Sequence, residues 1–155
     1  MSNILPKGKL APTRINPKIL LLYGLPKVGK TTVLAELESC LVLDMERGAE
    51  ALNIARVPVN SISGATVMNE DGSVAFTSID KVVEDINAIG IASFKVTGKK
   101  PKPPYKYIAI DTIDKLEDYC EVSATKKYKA STIGKSFEGK SVLELAQGGG
   151  YYRLR

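Results

Sequence analysis

Short apolar runs alternate along this chain with stretches of helical period. Residues 18–23 (KILLLY) form a continuous apolar run stopped by a glycine, the pattern of a strand buried on both faces. From Lys30 to Ser39, Val33, Leu34 and Leu37 recur at helical spacing that continues to Leu41, which predicts a helix. Residues 41–44 (LVLD) predict a second buried strand and residues 54–59 a further short one. Asp71-Gly72 stands between residues 65–68 and 74–76, the signature of a β-hairpin insertion. Ile79, Val82, Val83, Ile86 and Ile89 then predict an amphipathic helix ending near Gly90, with Thr77 and Asp80 placed to form a capping box. Residues 107–110 predict a third buried strand closed by Asp111, followed by a helix over about 113–128. Residues 1–17 read as an extended lead-in, residues 95–106 (KVTGKKPKPPYK) as a proline- and lysine-rich loop, and residues 129–155 as a segment without a clear period.

Strands alternating with helices imply an α/β fold with a mostly parallel sheet over residues 18–155. Such sheets bind ligands at the carboxyl ends of their strands, where Tyr23-Gly24, Asp44 and Asp111 fall. Composition narrows the chemistry. With 155 residues the chain can build one hydrophobic core. It contains no histidine, which excludes a Ser-His triad and His-ligated zinc, so acid–base work falls to carboxylates, lysines or tyrosines. Cys40 and Cys120 lack CxxC spacing and read as reduced, structural thiols. The apolar run at 19–23 is too short to span a bilayer, and the first residues lack a secretory pattern, so the cytoplasm is the expected location. The formal charge of +5 is compatible with a polyanionic partner without requiring one.

Gly24-Leu25-Pro26-Lys27-Val28-Gly29-Lys30-Thr31 matches GxxxxGK[ST], the Walker A loop. The glycines let the backbone turn its N–H groups onto phosphates, Lys30 reaches the β- and γ-phosphates, and the Thr31 hydroxyl is a ligand for Mg²⁺. Thr32 follows on the helix whose N-terminal dipole adds to the cradle. Asp111 ends the apolar strand in YIAIDT, the Walker B pattern, in which the carboxylate serves Mg²⁺. An aspartate there can also simply cap the next helix. Thr112 follows Asp111, so the Asp-Glu pair of AAA+ motors is absent. The stretch from Asp111 to Asp114 lacks the GTPase DxxG glycine, and Thr125-Lys126-Lys127-Tyr128 has tyrosine where a guanine-reading aspartate would stand. ATP is therefore the expected nucleotide. Asp44 and Glu46 lie two residues apart, on one face if the extended conformation continues.

The string LLLYGLPKVGKTT, LDMERG and YIAIDTID resembles the phage-encoded RecA-like ATPases of single-strand annealing and recombination, nucleotide-binding proteins classed as AAA. Over residues 18–155 the resemblance implies a P-loop NTPase of three-layer α/β/α architecture that hydrolyses Mg-ATP in the host cytoplasm. It implies Glu46 as the general base, Lys30 as its catalytic companion on the phosphates and Asp111 as the Walker B acid. A RecA-like sheet also carries a strand between the Walker A and Walker B strands that comes after Walker B in sequence. Residues 141–146 (SVLELA) are the one short candidate. The core is thus expected to be incomplete at its C-terminal end, either truncated or completed by another chain, a second copy included. On that account a nucleotide-binding interaction module, using ATP as an assembly switch with little hydrolysis, stands as the alternative to an ATPase. A small-molecule kinase is disfavoured, because no acceptor or lid motif is visible. Lys95, Lys99, Lys100, Lys102 and Lys106 with Tyr105 and Tyr107, and Lys129, Lys135, Lys140, Arg153 and Arg155 with Phe137, Tyr151 and Tyr152, read either as solvated loops or as contacts to single-stranded DNA. Glycines 148–150 lead to the expectation of a mobile loop there.

Overall fold

β1 (Cys40–Asp44) is buried at all five positions, as its unbroken apolar run requires. It pairs in parallel with β2 (Ala55–Ser61) on one side and with β5 (Tyr107–Asp111) on the other. β3 (Val67–Met68) and β4 (Val74–Ser78) extend the sheet to the order β3-β4-β2-β1-β5. β4 runs parallel to β2, and the β3–β4 pair is antiparallel. The computed structural model describes residues 19–99 and 104–154. They belong to two compact units, 1–30 and 31–155. The sheet and its helices lie in the second, which has the expected α/β class.

Leu41, Leu43 and Met45 alternate onto one face of β1 and form the buried core with Val59 and Val82. Val57, Ile79, Ile86, Tyr105, Leu116 and Tyr119 pack around them. This joins β2, α2 (Ile79–Thr97) and α3 (Ile113–Ala130) to the sheet. The hairpin forms where Asp71-Gly72 places it. Gly72 takes φ +80°, and Asp71 accepts from the Ser73 N–H and hydroxyl.

Several expectations are corrected. The strand over 18–23 is not formed in residues 19–23, and Lys18 lies outside the described residues. Ile19 and Tyr23 are 88% and 98% exposed. An apolar run marks a wish for burial but names no ladder partner. The helix expected to reach Ser39 is α1 (Lys30–Ala35), only six residues long. Thr31, Thr32 and Val33 are β-branched and poor helix formers. The chain tightens into Glu36 N–H to Val33 O and Leu37 N–H to Leu34 O bonds, and Ser39 at φ +62° leads into β1. The helix expected to stop near Gly90 runs on to Thr97. Its start is held by Ser78 rather than Thr77. The Ser78 hydroxyl accepts from Lys81 N–H and donates to Gly64 O, while Thr77 bonds Thr66.

Residues 142–154 form short helical turns, and no strand forms over 141–146. The SVLELA segment forms a 3₁₀ turn (Val142–Glu144) closed by a capping box between Ser141 and Glu144. Val142 is fully buried and donates its N–H to the buried Thr125 hydroxyl of α3. α4 (Gly149–Leu154) packs against this turn, and Gly150 lies in it, buried. A Cβ on Gly150 would stand 2.2 Å from Val142 O. We therefore expect Gly150→Ala to cost about 1–3 kcal/mol by overpacking. Gly48→Ala, with nothing within 4 Å, should stay within about 0.5 kcal/mol. Urea unfolding of the two variants beside the parent checks the pair, and equal midpoints would show that α4 is not packed as described.

Candidate functional site

The Walker A residues Gly24, Leu25, Pro26, Lys27, Val28, Gly29 and Lys30 close the first unit. Lys27 and Gly29 take φ of +64° and +91°, so the backbone reverses sharply before Lys30. A Cβ on Gly24 would meet Val28 Cγ2 at 3.3 Å, so a side chain there would crowd the curl. Lys30 Nζ donates to Gly24 O and Leu25 O, both at 2.8 Å. An ammonium has three N–H donors, so two hold the loop closed and one is left for an anion.

The second unit carries the side chains of Thr31 and Asp111. The Thr31 hydroxyl donates to Asp111 Oδ2 at 2.9 Å, although 80 residues separate them. Thr32 beside it is exposed. Asp111 stands at the carboxyl end of β5, opposite Asp44 at the end of β1. The pairing continues one step further, with Met45 N–H donating to Asp111 O at 2.8 Å. That bond sets the next residues side by side. The Thr112 hydroxyl donates to Glu46 Oε1 at 3.2 Å. An alcohol and a carboxylate oxygen, both hard, suit Mg²⁺, which takes few protein ligands and completes its shell with water and phosphate. Among the described residues no cluster of three or more acidic, Cys or His side chains forms a self-sufficient metal cage.

A family model described as AAA domain matches residues 16–147. The chain belongs to the AAA domain family. It is thus a P-loop NTPase of AAA type, with nucleotide-binding ATPase activity as the family's chemistry, and its parallel sheet flanked by helices is consistent with that fold. No curated protein and no solved structure matches the chain.

Within this AAA domain Asp44 and Glu46 do not form a pair. Asp44 is buried, accepts from Gly48 N–H and Ala49 N–H, and sits 3.7 Å from the Arg56 guanidinium. Glu46 is exposed. The extended conformation does not continue past Met45, because the Asp44 carboxylate draws the chain back into a turn in which Arg47 takes φ +59°. Lys115, on the first turn of α3, is ion-paired with Asp118 at 2.9 Å. Its ammonium is raised above the ordinary lysine value chiefly by the Asp118 hydrogen bond and charge, with Glu46 a smaller contributor. Asp114 is exposed on the same turn. Both cysteines are free. Burial of Cys40 pushes its thiol upward and leaves it inert.

The basic segments are only in part available. Lys100 and Lys102 lie outside the described residues, as does Arg155. Lys106 is ion-paired with Glu38, and Tyr105 packs against the core. Lys129 lies 5.8 Å from the centre of the Phe137 ring, Arg153 lies 5.2 Å from that of Tyr128, and the two rings meet edge-on at 5.4 Å. Tyr151 and Tyr152 are exposed.

Thr112 is the residue the sequence reading passed over. It entered there only as the residue that stands where AAA+ motors have glutamate, and a polar residue after an Asp-ended strand was the available signal.

Asp44 has a stability role that its buried bonds define. Asp44→Asn removes its charge and one acceptor of a backbone N–H, at a cost of roughly 1–3 kcal/mol. The affinity for Mg-ATP of the molecules that remain folded should not change. Urea unfolding with isothermal titration tests this, and a loss of affinity at unchanged stability would assign Asp44 to the site.

Proposed function

We propose that this AAA domain is a RecA-like Mg-ATPase, with Glu46 as general base, serving phage DNA recombination or single-strand annealing in the host cytoplasm. What supports it is the juxtaposition at the ends of β1 and β5. Asp111, which the Thr31 hydroxyl touches, and Glu46 stand at the ends of adjacent, in-register strands that the Met45–Asp111 bond joins. In this reading the backbone of residues 24–31, with Thr32 after it, receives the phosphates, and Lys30 exchanges its loop carbonyls for the β- and γ-phosphate oxygens. Thr31 and Asp111 would hold Mg²⁺, which supplies charge neutralisation on the phosphates. Glu46 orients a water and takes its proton as the water attacks the γ-phosphorus. Thr112 occupies the position after Asp111, so the base is sought elsewhere, and Glu46 at the β1 end is the acid this reading assigns.

A second reading has its own observation. β5 forms one edge of the sheet, and Ile108 and Ile110 on it are 55% and 44% exposed. An apolar edge strand invites a further strand from another chain. This favours an interaction module, a homo-oligomer included, in which ATP acts as an assembly switch with little turnover.

Four substitutions test the first reading. Lys30→Ala should abolish ATP binding without unfolding the chain, since the side chain bonds only exposed loop carbonyls. Asp111→Asn should weaken binding in Mg²⁺ while leaving the Mg²⁺-free affinity nearly unchanged. Glu46→Gln should preserve affinity and lower turnover by ~10²–10⁴-fold, the usual size of general-base catalysis. Glu50→Gln, at an exposed position past the turn, should behave as the parent. Titration calorimetry and phosphate release read all four. Undiminished turnover in Glu46→Gln would pass the role of base to Asp114.

The nucleic-acid part of the proposal makes a separate expectation. Lysines on exposed segments bind phosphates by counterion release, so single-stranded DNA should bind with an affinity that falls steeply with salt. Fluorescence anisotropy of a labelled oligonucleotide across a salt series checks it. No binding at low salt would remove DNA from the list of partners.

A further inference from the structure

We infer that Thr112 is a positioning residue for Glu46, its hydroxyl holding one carboxylate oxygen so that the other faces the attacking water. This deepens the proposed function and rests on Glu46 being the base.

Thr112 stands at the N-cap of α3, with extended backbone at φ −120° and ψ 165°. A threonine there ordinarily turns its hydroxyl onto the helix's first free N–H groups. This one makes no such bond. Its O–H points across the strand ends to Glu46 Oε1. Its backbone carbonyl takes the usual first bond of the helix, from Leu116 N–H at 3.2 Å. The hydroxyl oxygen thus accepts no cap N–H, and its proton goes to an exposed carboxylate just past the neighbouring strand. Glu46 has no buried wall to fix its rotamer, and an unheld glutamate would spread over many conformers. The Met45–Asp111 bond fixes the separation of the two backbones, so a short side chain from residue 112 reaches residue 46. Lys115 adds positive charge near Glu46, but its ammonium is engaged by Asp118. Of these two groups, only Thr112 touches the carboxylate in this structure.

Three variants at this site and one combination decide the matter in phosphate-release assays at saturating Mg-ATP. Thr112→Val keeps the shape and removes the O–H, and because no cap bond is lost, α3 and the urea midpoint should be preserved. Thr112→Ser keeps the O–H and should restore the parent rate. It also serves as the folded reference if the valine variant proves unstable. Thr112→Val should lower kcat roughly tenfold to a hundredfold with KM for ATP unchanged, the range that a hydrogen bond to a charged group converts to. In a Glu46→Gln background Thr112→Val should add little, since the two act as one unit. If Glu46→Gln slows turnover and Thr112→Val does not, the positioning role is wrong and the base survives. If Thr112→Val costs the same factor in both backgrounds, Thr112 acts elsewhere and the inference falls. If Glu46→Gln turns over like the parent, the base assignment fails and the inference falls with it.

Discussion

Between Cys40–Asp44 and Tyr107–Asp111 the parallel ladder runs in register for five residues, and Met45 N–H carries it one bond further to Asp111 O. Asp111, Thr112 and Glu46 hang from that ladder, and Thr31 reaches Asp111 from α1. Register matters here because a slip of one residue would exchange the two buried faces of β1, putting Cys40 and Val42 where Leu41 and Leu43 pack. The core therefore sets the site. Leu41, Leu43 and Met45 pack against Val59 and Val82, and that packing fixes which residue of β1 stands opposite Asp111.

Asp44 serves the same ladder from the other side. Its carboxylate gathers the Gly48 and Ala49 N–H groups, with Arg56 as counter-charge, and so curls the chain just past Glu46. A buried carboxylate with two backbone donors and a guanidinium near it has satisfied partners, and none of its capacity needs a ligand. Glu46 has the opposite environment, exposed and held by one hydroxyl. Two acids a single residue apart thus divide into one that builds the turn and one that the turn presents.

The α/β class, the strands over 41–44 and 107–111 and the hairpin at Asp71-Gly72 were legible because each rests on a local signal, an apolar run or a turn dipeptide. The Walker A and Walker B motifs are local signals of the same kind, their residue types and spacing being those that phosphate and metal chemistry would use. What was not legible depended on partners distant in sequence. Residues 19–23 are as apolar as β1, yet apolarity alone did not choose a ladder for them. Residues 129–155 showed no period because they are held by single contacts. Among these are Val142 N–H on Thr125, Gly150 against Val142 O and Phe137 against Tyr128, none of which repeats along the sequence. The separation of Asp44 from Glu46 was hidden because it follows from hydrogen bonds to Gly48 and Ala49, and strand alternation cannot foresee where the strand stops.

The site contains two hydroxyl–carboxylate pairs, Thr31 with Asp111 and Thr112 with Glu46. In the first, both oxygens are hard donors, and the O–H of Thr31 is a bond that a bound cation would replace, since the hydroxyl can turn its lone pairs toward it. In the second, the proposed chemistry asks the carboxylate to accept a proton, so the hydroxyl must leave one oxygen free. A lone donor does this, whereas a bidentate guanidinium would occupy both oxygens and compete with the water. Substituting glutamate at position 112 would put two like charges side by side and take away the donor. A chain that draws its base from the β1 end therefore has a physical reason to carry a short hydroxyl residue after Asp111, and threonine at 112 follows from the same choice that placed glutamate at 46.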